Sequence, residues 1–61
     1  MDRTEILDAL EEIHGTSNPL DVPERDRWIL YENIKSNIRN IGMNPDDYTK
    51  QIIVICEALE L

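Results

Sequence analysis

The sequence predicts an all-α fold, a compact three-helix bundle, and three observations carry that expectation. Apolar residues recur at three- and four-residue intervals in three separate segments. Glycine or Asn-Pro punctuates the segment ends. The only β-branched run, at Ile52–Ile55, has no second strand candidate with which to pair. The expected helices cover roughly residues 3–14, 23–41 and 45–60, in a single small domain spanning 1–61.

The first helix reads DRTEILDALEEIHG. Asp2 and Glu5 stand at capping-box spacing, with Asp in place of the usual Ser or Thr. Ile6, Ala9, Leu10 and Ile13 form one stripe, with Leu7 on its shoulder. Glu5, Asp8, Glu11 and Glu12 fall on the other side. Gly15 is suited to the left-handed residue that ends a helix, and His14 sits in the last turn.

The connector TSNPLDVP holds two prolines, and Asn18-Pro19 can start a single helical turn. Leu20 and Val22 are apolar within it and are expected to lie over the bundle. The second helix is expected to be capped by Asp21 or Val22, with Pro23 in its first turn. Leu30, Ile34, Ile38 and Ile41 make its stripe, widened by Tyr31, and Gly42 stops it. Trp28 lies on the margin of that stripe, and Ile29 points roughly opposite to it.

The third segment opens with helix chemistry. Asn44 can cap, Pro45 suits the first helical position, and Asp46 and Asp47 place negative charge at the positive end of the dipole. Tyr48, Ile52, Ile55, Cys56 and Leu59 then share one face, so the run Ile52–Cys56 is read as helix. Val54, Ala58 and Leu61 fall on a separate flank, with Ile53 on the far shoulder. Two readings of this excess stand side by side. Either the third helix is central, covered by both others and by Leu20 and Val22, or its flank joins Trp28 or Ile29 in an interface.

Composition narrows the function classes. Thirteen acids and six bases leave a net charge of −7. That balance disfavours direct binding to nucleic acid, which needs clustered Lys and Arg, and disfavours an anionic membrane surface. In a helix-turn-helix reading, the third helix would offer Asp46, Asp47, Glu57 and Glu60 to phosphate. No stretch approaches the ~20 apolar residues of a membrane span. The opening MDRTEILDALEEI has acids where a signal peptide is basic and apolar, so a cytoplasmic protein is expected.

No catalytic, metal or nucleotide motif is visible, and no enzyme activity or cofactor is expected. Cys56 is the only cysteine, and with His14 it cannot complete a four-ligand zinc site. Acid charge is concentrated before residue 13 and after residue 45, around a second helix of nearly balanced charge, which suggests some interhelical pairing. The leading expectation is a non-enzymatic protein–protein interaction module, an adaptor or regulator, with a homodimer through the third helix as one form of it. Its hydrophobic contact residues would be Trp28, Ile29, Ile53, Val54 and Leu61. The alternative is an acidic decoy, in which Glu5, Asp8, Glu11 and Glu12 dock on the basic surface of a nucleic-acid-binding protein.

Overall fold

Side chains cap the starts of the first and third helices, and backbone N–H groups close all three helix ends. The computed structural model describes residues 1–61 and holds α1 (Arg3–His14), α2 (Glu24–Ile41) and α3 (Pro45–Ala58). A short 3-10 turn at Pro19–Asp21 interrupts the connector between α1 and α2. The fold is a three-helix bundle without strands, as the periodicity predicts.

The cap of α1 is a reciprocal box. The Asp2 carboxylate accepts from the Glu5 N–H at 2.9 Å, and the Glu5 carboxylate accepts from the Asp2 N–H at 3.4 Å. Gly15, at φ 75°, donates its N–H to the Glu11 carbonyl at 2.7 Å and closes the helix. On α3, Asn44 Oδ1 accepts from the Asp47 N–H and its amide donates to the Asp47 carboxylate, both at 3.0 Å. This cap starts the helix about two turns ahead of the β-branched run and sets that run in helical register.

α2 starts differently from the expectation. Neither Asp21 nor Val22 caps it; Pro23 occupies that position with extended ψ and no side-chain cap, and the helix proper begins at Glu24. Asp21 is held in the connector instead, accepting from the Thr16 hydroxyl at 3.3 Å. Within the 3-10 turn, Asn18 Oδ1 accepts from the Leu20 N–H, and the Val22 N–H donates to the Pro19 carbonyl. Residues three apart eclipse in such a turn. Pro19 and Val22 therefore both face the core, while Leu20 turns outward and is 70 % exposed. The expectation that Leu20 covers the bundle is corrected by that geometry.

The core is built from Ile6 and Leu10 of α1, Leu30, Ile34 and Ile38 of α2, and Ile55, Ala58 and Leu59 at the end of α3, with Val22 closing it. α1 and α2 each pack extensively on α3 and much less on one another, so α3 is the shared element. Its apolar excess is consumed by having two neighbours. Ala58 is fully buried, and Val54 and Leu61 are partly buried against the core, so the separate flank expected for them is part of the packing. Ile53 alone of that group stands out, at 52 % exposure. No helix is long and apolar enough to cross a membrane.

Two stripe residues are not covered. Ile41, in the last turn of α2, is 73 % exposed. Ile13 is 61 % exposed, for it faces the loosely packed seam between α1 and α2.

α3 ends at Ala58, short of the expected residue 60, in a Schellman motif. The Leu61 N–H donates to the Cys56 carbonyl at 2.9 Å and the Glu60 N–H to the Glu57 carbonyl at 3.3 Å. The left-handed residue is Glu60, at φ 57°. An L side chain there costs about 1–2 kcal/mol, partly offset in a Gly variant by the freer unfolded chain. Glu60→Gly is therefore expected to raise stability by about 0.5–1 kcal/mol, read as a higher urea midpoint at unchanged slope. An unchanged or lower midpoint would speak against the strained cap.

The interhelical ion pairing suggested by the charge distribution is absent. The one ion pair, Lys35 to Glu32 at 3.2 Å, lies within α2. Helices are joined in polar terms by Arg27, whose guanidinium donates to the carbonyls of Val22 at 3.1 Å, Leu59 at 3.0 Å and Glu60 at 2.9 Å. A cation thus satisfies the free carbonyls at the end of α3, where the helix dipole is negative.

Candidate interaction surface

Because α1 and α2 both lean on α3, the seam between them is left open. A cleft of about 110 Å³ forms there, lined by Ile13 and His14 of α1 and by Asp26, Ile29, Leu30 and Asn33 of α2. The adjoining surface of α2 is a broad, open depression formed by Arg25, Trp28, Ile29, Glu32 and Asn33. Ile29 belongs to both. The exposed Ile13 and Ile29 thus flank the seam, and Trp28 lies beside Ile29 on the adjoining outer face of α2. Trp28 is 44 % exposed and Ile29 52 %.

Trp28 is held in place by its own helix. Its ring meets Tyr31 edge-on, with centroids 5.3 Å apart and planes at 86°, and Lys35 Nζ lies 5.2 Å from the Tyr31 centroid. The indole N–H reaches the Glu24 carboxylate at 3.4 Å. Residues 24, 28, 31 and 35 form one ladder of helical neighbours. The indole is thus presented with little freedom to lose on meeting a partner, a property of good contact anchors.

Of the five hydrophobic contact residues expected from the sequence, Trp28 and Ile29 come together here. Val54 and Leu61 are packed against the core, and Ile53 lines neither the cleft nor the depression. Ile13 joins the surface although periodicity assigns it to the core, because no neighbouring helix covers it there.

Glu5, Asp8, Glu11 and Glu12 are all exposed on α1. Glu5 is engaged in the capping box, whereas Asp8, Glu11 and Glu12 have no ion pair or hydrogen-bond partner for their carboxylates. They form an arc of uncompensated negative charge covering roughly a third of the helix circumference at 100° per residue.

Chemically, the cleft brings His14 near Asp26 and Asn33 without a Ser, Thr or Cys among its lining residues. Its volume is well below the roughly 300–1,000 Å³ of ordinary ligand pockets. Cys56 lies half-buried on α3, away from both surfaces, and no group of three or more His, Cys, Asp or Glu could hold a metal ion. Comparison with protein-family models, with curated proteins and with solved structures gave no match.

Proposed function

We propose that this protein is a small non-enzymatic protein–protein interaction module, an adaptor or regulator, that makes contact through the seam between α1 and α2. The observation that carries this reading is the continuity of exposed apolar side chains from Ile13 and Ile29 at the seam to Trp28 on the adjoining face of α2. An aromatic anchor with a restricted rotamer, an adjacent aliphatic and a charged rim are the usual make-up of an energetic centre in an interface. With Val54 and Leu61 drawn into the core, α3 retains only Ile53 for contact. The seam is the better contact surface.

A second reading is supported by the unpaired carboxylates of Asp8, Glu11 and Glu12. Together with the net charge of −7, they suit docking on the basic surface of a nucleic-acid-binding protein. The two readings differ in salt dependence. Apolar contact changes little with ionic strength, whereas an exposed charged contact is screened once the Debye length falls to about 8 Å.

One capture experiment separates them. The protein, a Trp28→Ala/Ile29→Asp variant and an Asp8→Lys/Glu12→Lys variant are each used to retain proteins from the source cell at low and high salt. For the seam, retention is expected to survive salt and to fall at least tenfold in the first variant. For the acidic face, retention should vanish in high salt and in the second variant. Retention that neither variant changes would overturn both readings. All four substituted positions are exposed, so the variants should keep the helical circular dichroism of the parent.

A further inference from the structure

We propose that the occupant of this surface is a second copy of the chain, with α2 packed antiparallel on α2 of the other protomer about a twofold axis that passes between Trp28 and Ile29. The inference rests on the interaction-module reading and names its partner. Arg25, Trp28, Ile29 and Glu32 lie on one open face of α2 at helical spacing. In an antiparallel pair centred between residues 28 and 29, position 25 falls opposite 32 of the other copy, and 28 opposite 29. Arg25 then meets Glu32 of the second copy, Trp28 meets its Ile29, and twofold symmetry repeats both contacts. The face is self-complementary in chemistry: cation against anion at both ends, indole against aliphatic in the middle.

Electrostatics points to the same face. Two copies that each carry −7 repel one another over most of their surface. α2 is the one helix whose bases match or exceed its acids, with Arg25, Arg27, Lys35 and Arg39 beside Glu24, Asp26 and Glu32. Arg27 is taken up by backbone carbonyls and Lys35 by Glu32, but Arg25 has no hydrogen-bond or ion-pair partner in its own chain. An unpaired guanidinium two helical turns from an exposed carboxylate, with Trp28 and Ile29 between them, is the arrangement that an antiparallel twofold contact uses. The cleft beside Ile29, walled by Ile13 and Leu30, gives the indole of the second copy an apolar recess at its edge.

The test is a charge swap read by sedimentation at several concentrations and fixed, physiological ionic strength. The parent chain is expected to show a monomer–dimer equilibrium. Arg25→Glu and Glu32→Arg, each alone, place like charges opposite one another twice and should weaken the dimer by about tenfold or more. An equimolar mixture of these two variants restores both opposite-charge contacts and should associate as the parent does. Circular dichroism confirms that each variant is folded. A parent that stays monomeric to about 1 mM, single variants that dimerise like the parent, or a mixture that fails to recover would each overturn the proposal. The interaction-module reading is judged separately. If the parent is monomeric but Ile29→Asp still abolishes capture of another protein, only the twofold dimer fails.

Discussion

Ile55→Ala is expected to remove a large share of the fold's stability and to lower its unfolding midpoint sharply. Ile55 is fully buried in α3, the helix on which both α1 and α2 pack. Truncating a buried isoleucine costs about 2–5 kcal/mol. A domain of 61 residues has a total stability of roughly 3–9 kcal/mol on the usual per-residue scale, so one side chain removes a large share of it. Guanidinium or thermal unfolding followed by far-UV circular dichroism would show a lost or strongly shifted transition. Ile55→Val should cost only about 0.5–1.5 kcal/mol. Ile41→Ala should stay within about 0.5 kcal/mol although it belongs to the same apolar pattern, because that side chain is exposed. Equal effects at positions 55 and 41 would contradict the central placement of α3.

Arg27→Ala is expected to destabilise the fold by about 1.5–3 kcal/mol, more than any other polar substitution. Its guanidinium is part-buried and donates to three carbonyls, two of them at the end of α3 and more than thirty residues away along the chain. Removing it loses charge-assisted hydrogen bonds and leaves those carbonyls with only water as a partner. The contact also joins the start of α2 to the end of α3. Amide hydrogen exchange at Leu59 and Leu61 should therefore accelerate more than exchange in the middle of α1. Arg27→Lys should recover only part of the loss, since one ammonium cannot reproduce a planar fork that reaches Val22 on one side and Leu59 and Glu60 on the other. A loss below about 0.5 kcal/mol would show the clamp to be dispensable.

These two residues illustrate what could be read from the chain alone. Ile55 was legible, because its spacing from Tyr48, Ile52 and Leu59 places it on one helical face. Arg27 was not. In the sequence it is one of several bases on a helix of balanced charge, and its acceptors are backbone carbonyls, which any residue supplies. Charge counting could suggest only carboxylate partners, and the interhelical pairs it suggested are not present. The same limit applies to the candidate surface. Trp28 and Ile29 were legible as residues off the stripe of their own helix. Ile13 was not, because periodicity describes which face a residue occupies but not whether a neighbouring helix covers that face.

The sequence by itself determined most of the local structure: three helices, the capping box of α1, the glycines that end α1 and α2, and the helical register of Ile52–Cys56 behind the Asn44 cap. Those features depend on bonds and spacings within a few residues, so they are written in consecutive letters. Only the tertiary structure decided that α3 is shared, that Val54, Ala58 and Leu61 join the core, and that Ile13 comes to the α1–α2 seam beside Ile29. Each depends on how one helix is rotated and placed against another. That placement follows from burying the most apolar surface of the whole chain at once, and no single segment encodes it.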